Sequence, residues 1–182
     1  MIKKSLRQIK KENAEFARAV KFLIDKILDE NGKQKVEGKP LLAHSLDVAY
    51  KLRNLGYEND LVLAAVLHDL IEDAGISAEE IRKKFGSLVC ELVEAVSFKD
   101  NIEDKATRYQ EMYKRTKEAG KDALILKTAD LLANYNFFHF VRDHKLKKFL
   151  VKKYKYFLTI AQPISQEPIY QELSEKIKNP QK

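Results

Sequence analysis

The sequence predicts an all-α protein. Helix breakers are scarce, with 6 glycines and 4 prolines in 182 residues, and apolar residues recur at three- and four-residue spacing over long stretches. A chain of this length with 45% hydrophobic and 34% charged residues is large enough to bury one core. We therefore expect a single helical bundle over residues 1–182, in which the C-terminal helices occupy 145–177.

Three helices are predicted in the first half of the chain. An apolar stripe indicates a first helix over 6–30, followed by a polar loop. Pro40 can open a second helix over 40–56, because its fixed φ suits the first helical position. A third helix is predicted over 58–75, and its segment 61–67 is apolar on every face, which is typical of a helix surrounded by other helices.

The remaining helices follow from capping signals and apolar spacing. Ser77 with Glu80 three residues later forms a capping box that opens a short helix ending near Gly86. A loop is expected at 98–103, and one weak helix is expected beyond Pro163. The main helices of this half are predicted over 88–96, 104–119, 123–140 and 145–160.

Composition excludes several classes of protein. The net charge of +7 favours anionic partners. The chain has no run of 18 apolar residues and residues 1–7 lack the apolar core of a signal peptide, so we expect a cytoplasmic protein without a membrane partner. Cys90, the single cysteine, lies among apolar neighbours and is expected to be a small buried hydrophobe.

Acidic residues are concentrated beside the most apolar helix. Residues 40–80 hold 8 acidic and 2 basic side chains. His68 and Asp69 come directly after the apolar segment, and Glu72 and Asp73 follow within one turn. Isolated buried charges are costly, so such groups should be paired or should bind a metal. In a continuous helix, spacings of three and four residues place them on one face.

Two further polar residues lie within apolar helices, His44 in the second helix and Asp130 in the helix over 123–140. Taken singly, His44 suits a core histidine, and an acidic helix end suits a solvated surface. Together with His68 and Asp69, they form a set of two imidazoles and two carboxylates. Such a mixed set suits Mn²⁺, Fe²⁺ or Zn²⁺ better than Ca²⁺ or Mg²⁺, and the combination favours a metal site.

These residues resemble the pattern of the HD-domain metal-dependent phosphohydrolases. His44 takes the H position, His68 and Asp69 the HD position, and Asp130 the final D position. The closer resemblance is to the ppGpp hydrolase domain of the RelA/SpoT family and to the stand-alone small alarmone hydrolases of the Mesh1 type. Since no synthetase region follows before Lys182, we expect the stand-alone type. The matching segments follow in order within 35–140, at 38–40, 43–49, 64–69, 72–73, 85–86, 92–97 and 127–134.

The resemblance implies a Mn²⁺-dependent hydrolase of a small nucleotide. It removes the 3′-pyrophosphate of guanosine tetra- or pentaphosphate (ppGpp or pppGpp) and gives GDP or GTP with pyrophosphate. Glu72 and Asp73 match the family's Glu-Asp pair, which orients or deprotonates the attacking water. The implied substrate contacts are Lys35 for the base, Asn134 for the nucleotide and Arg108 for phosphate.

The expected base pocket departs from the family pattern. This chain has Lys33 and Lys35 where the family usually has an Arg-Lys pair. Leu41 replaces a tyrosine of the family, Ser45 replaces a proline, and Asn136 stands where arginine is common. Two alternatives therefore stay open. One is an HD phosphohydrolase of another nucleotide or phosphorylated metabolite, and the other is a non-catalytic nucleotide- or RNA-binding module with a structural metal.

Two other groupings are interpreted as structural. His139 and His144 match no ligand motif, so we expect core or surface histidines rather than a second metal site. Aromatic residues over 154–157 interleave with lysines, a pattern that can stack on single-stranded nucleic acid. Their helical spacing favours packing against the core instead, and nucleic acid is not an expected partner.

Overall fold

The computed structural model describes residues 5–29, 31–35, 40–99, 102–138 and 141–179. These residues are helical apart from turns, loops and one isolated bridge between Leu28 and Gln34, which confirms the all-α prediction. No helix among them is both long and apolar enough to cross a bilayer. The fold divides into two compact units, Met1–Cys90 and Glu91–Lys182, and each is described by itself. A single domain over the whole chain stays a prediction.

The first unit is built around a short, fully apolar helix. Its α3 packs against both α1 and α2, and all residues over 61–67 are buried, as the apolar pattern predicted. Ser77 caps α5 by accepting the N–H of Glu80 at 3.2 Å, which confirms the capping signal. The helices of this unit are α1 (Leu6–Ile27), α2 (Leu41–Asn54), α3 (Asn59–Leu67), α4 (Leu70–Ala74), α5 (Ala78–Phe85) and the beginning of α6 (Ser87–Val96).

The prediction of one continuous helix over 58–75 is wrong. The chain turns at His68 and Asp69, which separate α3 from α4. The Nδ1 atom of His68 lies 2.8 Å from the carbonyl oxygen of Ala65, the acceptor that the Asp69 N–H takes in a continuous α-helix. Side-chain competition for this carbonyl accounts for the break. The following α4 ends at Gly75, whose φ of 63° favours glycine.

The first helix also ends earlier than predicted. Leu28 adopts an extended conformation and bridges to Gln34, and the N–H of Lys35 donates to the carbonyl oxygen of Ile27 at 2.8 Å. The chain therefore leaves the helix at Leu28, and residues 31–35 run back along the end of α1. A hydrophobic stripe does not register this reversal, because apolar spacing does not report the backbone hydrogen bonds that form it.

The second unit surrounds one buried helix. All residues of α8 over 123–133 are buried, and this helix packs against α7 and α10. It ends at Tyr135, earlier than the predicted 140. Asp104 and Asp143 cap α7 and α9 by accepting backbone N–H groups. The helices of this unit are α7 (Lys105–Glu118), α8 (Lys121–Tyr135), α9 (His144–Ile160), a 3₁₀ turn (Gln162–Ile164) and α10 (Pro168–Lys178).

Side chains of α7 and α8 satisfy the C-terminal carbonyls of α6. Arg115 donates to the carbonyl oxygens of Glu94 and Ser97, both at 2.6 Å. Thr116 donates to that of Ala95 at 2.9 Å. The ammonium of Lys127 is 3.3 Å from the carbonyl oxygen of Val96. The last carbonyls of a helix have no partner within the helix, so these contacts hold α6 to α7 and α8.

Candidate metal centre

Two histidines meet inside the first unit. His44 lies on the buried face of α2 and His68 follows α3, and each is 2% exposed. Their Nε2 atoms are 3.2 Å apart. The apolar neighbours in both helices direct these two positions inwards, so the expectation that His44 faces the interior is confirmed.

The Ala65 carbonyl fixes the tautomer of His68. A carbonyl oxygen only accepts, so the Nδ1 of His68 carries the proton that it donates to Ala65. In the neutral ring, Nε2 then holds the free lone pair, and this is the atom that faces His44. A hydrogen bond from the other ring nitrogen to a backbone carbonyl is the usual way in which a metal-ligating imidazole is oriented.

The adjacent carboxylate joins the two rings. Asp69 is buried, with Oδ1 3.2 Å from Nε2 of His68 and Oδ2 3.6 Å from Nε2 of His44. Ligand atoms that share one metal at bond lengths of about 2.1 Å lie about 3.0–3.4 Å from one another. The two separations of 3.2 Å fall within this range and the separation of 3.6 Å lies just outside it, so the three side chains form a candidate site for a divalent ion.

Asp130 lies in the second unit, near the middle of α8, and is 4% exposed. Its Oδ2 is 2.8 Å from the ammonium of Lys127, and its Oδ1 accepts a hydrogen bond from Nδ2 of Asn134 at 2.6 Å. The predicted fourth ligand is thus a buried carboxylate on an apolar helix, as its sequence context indicated. Its assignment as a ligand stays a prediction.

Glu72 and Asp73 occupy the short helix that follows Asp69. Glu72 is exposed and Asp73 is half-buried, and the N–H of Asp73 donates to the carbonyl oxygen of Asp69 at 2.8 Å. The shared face expected for these groups assumed an unbroken helix, which the turn at 68–69 replaces. Both carboxylates nevertheless follow the histidine-aspartate pair within five residues.

Two of the predicted substrate contacts are cations anchored to backbone carbonyls. The Lys35 ammonium donates to the carbonyl oxygens of Asp25 and Lys26, at 3.3 and 3.2 Å, at the end of α1. Nε of Arg108 donates to the carbonyl oxygen of Ile102 at 2.7 Å. Both assignments stay predictions, and the motif residues Gly38 and Lys39 lie outside the described residues.

The exposure of the residues that we interpreted as structural is consistent with that interpretation. His144 is exposed at the start of α9, whereas His139 lies outside the described residues. Tyr154 and Phe157 are buried, which removes two of the three aromatic rings from any stacking surface. Cys90 is buried as expected and its thiol is 3.1 Å from the carbonyl oxygen of Ala78.

Sequence reasoning did not assign a role to Lys127. This lysine is 7% exposed, and lysine is rarely buried unless it is paired. Its position three residues before Asp130 in an otherwise apolar helix was the available signal, because that spacing places the two side chains on one face.

A buried cluster of two imidazoles and a carboxylate within an all-helical fold makes this an α-helical protein with a candidate metal site. The family model of the HD domain matches residues 19–135, nearly two-thirds of the chain, and the chain belongs to this family. Domains of this family bind divalent metals. The matched range contains His44, His68, Asp69 and Asp130.

Several curated proteins that are similar in sequence are named as enzymes of guanosine tetraphosphate. The chain is 32% identical over 165 residues to the guanosine-3′,5′-bis(diphosphate) 3′-pyrophosphohydrolase of Aquifex aeolicus, which covers 88% of this chain and 23% of that protein. It is 27% identical over 150 residues to the bifunctional (p)ppGpp synthase/hydrolase SpoT of Escherichia coli, which covers 79% and 21%. The chain spans less than a quarter of the length of either relative.

Solved structures share the fold. A metazoan orthologue of SpoT, described as hydrolysing ppGpp, matches with a TM-score of 0.77 and 20% identity over 91% of this chain and 95% of that one. A protein of Listeria monocytogenes matches with a TM-score of 0.62 and 24% identity, over 79% and 97%. At these identities the similarity establishes a common helical fold.

Proposed function

We propose that this chain hydrolyses the 3′-pyrophosphate of ppGpp and pppGpp, giving GDP or GTP and pyrophosphate. The observation that carries the proposal is the meeting of His44, His68 and Asp69 at 3.2–3.6 Å in the HD-family segment of the chain. The names of the Aquifex and Escherichia relatives support the substrate. This activity is that of a cytoplasmic enzyme of the stringent response.

The metal ligands in this proposal are His44, His68, Asp69 and Asp130. A divalent ion held by them supplies a Lewis acid and, by lowering the pKa of water, a nucleophile at neutral pH. Two imidazoles with carboxylates and without a thiolate suit Mn²⁺, Fe²⁺ or Zn²⁺, and the resemblance to the ppGpp hydrolases favours Mn²⁺ among them. Asp69 comes directly after His68, so one turn of the chain delivers two of the ligands.

Glu72 and Asp73 are assigned to the attacking water. A carboxylate oxygen of Glu72 accepts the proton that the water loses as it attacks the phosphorus of the 3′-pyrophosphate. The P–O bond to the ribose 3′-oxygen then breaks, and that oxygen takes up a proton as the 3′-hydroxyl of GDP. The carboxylate of Asp73 orients that water, and the backbone N–H of Asp73 donates to the carbonyl oxygen of Asp69.

The substrate is a polyanion and requires nearby cations and polar groups. Lys35 is assigned to the base end of the nucleotide, and Arg108 to phosphate. Asn134 is assigned to the nucleotide through its amide group, because the bond to Asp130 uses one of two N–H donors and leaves Oδ1 as an acceptor.

A second candidate is an HD phosphohydrolase of another nucleotide. Lys35 carries an ammonium where the related enzymes carry a guanidinium, and that ammonium is bonded to the carbonyls of Asp25 and Lys26. A compact cation in this position stacks poorly on a purine compared with the planar arginine. This arrangement favours a base specificity broader than guanine.

Product analysis tests the proposal. Purified protein is incubated with Mn²⁺ and ppGpp, and the nucleotides are separated by ion exchange. Release of GDP and pyrophosphate, absent with Asp69→Ala, supports the proposed reaction. Turnover of other nucleotides but not of ppGpp supports the second candidate, and a folded, metal-loaded protein without turnover on any nucleotide contradicts both.

A further inference from the structure

Lys127 is a buried lysine for which the proposed reaction has no use. Its ammonium is 2.8 Å from Oδ2 of Asp130 and 3.3 Å from the carbonyl oxygen of Val96. The residue is 7% exposed. Removing a lysine ammonium from water is costly, so its contacts must compensate for the lost hydration.

Asn134 holds the same carboxylate from the other direction along α8. Its Nδ2 donates to Oδ1 of Asp130 at 2.6 Å. Lys127 precedes Asp130 by three residues and Asn134 follows by four, so the three side chains share one face of the helix. Each oxygen of Asp130 therefore has its own donor, and the plane of the carboxylate is fixed from both sides.

We propose that Lys127 and Asn134 are positioning residues that orient the carboxylate of Asp130 for the metal. This inference rests on the proposed function, in which Asp130 is a ligand. An ionised carboxylate offers about four lone-pair sites, so each oxygen of Asp130 can accept one hydrogen bond and still bind an ion. Partners of this kind commonly change metal affinity by about 10–100-fold when they are removed.

The sign of the effect separates positioning from simple electrostatics. The positive charge of Lys127 repels a divalent cation, so a role through charge alone means that its removal strengthens metal binding. Positioning means the reverse, because an unheld carboxylate must be ordered when the ion binds. If Lys127 has a purely structural role, through the carbonyl of Val96, its removal lowers stability and leaves metal affinity unchanged.

The test measures the dissociation constant of Mn²⁺ from the full chain, by the electron paramagnetic resonance signal of free Mn²⁺, with no substrate present. Lys127→Met removes the ammonium and keeps the length of the side chain. Asn134→Ala removes the second donor without leaving a buried charge unpaired. Lys114→Met is the matched control, since Lys114 is exposed on α7. Thermal unfolding of each variant reports its fold.

We expect Lys127→Met and Asn134→Ala each to weaken Mn²⁺ binding by about 10-fold or more, and Lys114→Met to leave it unchanged. In an Asp130→Asn background, Lys127→Met should add no further loss, because the lysine acts through that carboxylate. Unchanged or tighter Mn²⁺ binding in a folded Lys127→Met protein overturns the assignment of Lys127. If that variant does not fold, the Asn134→Ala result decides.

The same measurements distinguish a failure of the proposed function. If Asp130→Asn binds Mn²⁺ as tightly as the wild type, Asp130 is not a ligand, and the inference falls with that assignment. If Asp130→Asn weakens binding while Lys127→Met and Asn134→Ala do not, the ligand assignment stands and the positioning roles are wrong.

Discussion

The Nδ1–H of His68 donates to the carbonyl oxygen of Ala65 at 2.8 Å, and this bond connects the fold to the candidate metal centre. It occupies the carbonyl that would continue α3 and so accompanies the break before α4. It also leaves Nε2 as the lone-pair atom of the ring, 3.2 Å from that of His44. One local contact thus accompanies the end of the helix and orients the candidate ligand His68.

Metal binding should stabilise the folded chain. The ligand atoms converge only in the folded state, so an ion that binds there shifts the unfolding equilibrium. At a free Mn²⁺ concentration of 100 times the dissociation constant, the free energy of unfolding should rise by about 2.7 kcal/mol. Thermal unfolding with Mn²⁺ and with a chelator measures this, and an unfolding midpoint independent of Mn²⁺ contradicts it.

Glu72→Gln should slow turnover and leave metal affinity near that of the wild type. The amide keeps the size of the side chain but cannot accept the proton of the attacking water. General-base catalysis contributes a rate factor of roughly 10²–10⁴, so kcat should decrease by a factor in that range. Steady-state kinetics with Mn²⁺ titration checks both quantities. Since Glu79 is exposed on α5, Glu79→Gln is the matched control, and equal kcat values for the two variants remove Glu72 from the mechanism.

Lys35→Ala should raise KM more than it lowers kcat, because a residue that holds the base contributes to binding in the ground state as well as the transition state. Loss of its contacts with the carbonyls of Asp25 and Lys26 should also cost about 0.3–1 kcal/mol of stability. Kinetics and urea unfolding separate the two effects. Lys83→Ala, at an exposed position of α5, is the control; a KM no higher than that of this control returns Lys35 to a structural role.

Tyr113→Phe should stabilise the protein. Within the described part of the chain, the buried hydroxyl of Tyr113 has no hydrogen-bond partner. An unsatisfied buried polar group costs about 1–3 kcal/mol, so its removal should raise the free energy of unfolding by about 1 kcal/mol. Urea unfolding at neutral pH measures the change, with Tyr50→Phe as the control because Tyr50 is 48% exposed.

The same tyrosine predicts a loss of stability in alkali. Burial, with smaller electrostatic contributions from Tyr154, Tyr109 and Asp130, raises the pKa of Tyr113 well above its usual value. Above about pH 10 the unfolded chain releases this proton while the folded chain keeps it, so the free energy of unfolding falls as the pH rises. Tyr113→Phe should reduce that slope. A slope equal to that of the wild type contradicts the shift.

The spacing of apolar residues predicted much of the fold, because it indicates which residues are buried. The apolar segment 61–67 becomes the buried α3, Ser77 caps α5, and His44 and Asp130 face inwards from apolar helices. Burial of each polar candidate follows from its neighbours in the same helix, and local periodicity contains that information.

The features that sequence reasoning missed depend on side-chain hydrogen bonds. The break at His68 requires the bond from its ring to Ala65, and the contact of Lys127 with Val96 joins two helices. Apolar spacing is indifferent to such contacts, since a broken helix and a continuous one bury the same apolar residues. The end of α1 at Ile27 depends instead on backbone hydrogen bonds with the segment that follows it, which apolar spacing does not report either.

The most direct test of the account is the stoichiometry of Mn²⁺ in wild type and in Asp69→Ala, measured by elemental analysis after equilibrium dialysis. Asp69 lies within 3.2–3.6 Å of both histidine nitrogens, so its loss removes a ligand from the centre. We predict one Mn²⁺ per wild-type chain and none retained by a folded Asp69→Ala protein. Equal Mn²⁺ content in the two proteins would contradict the assignment of this cluster as the metal centre.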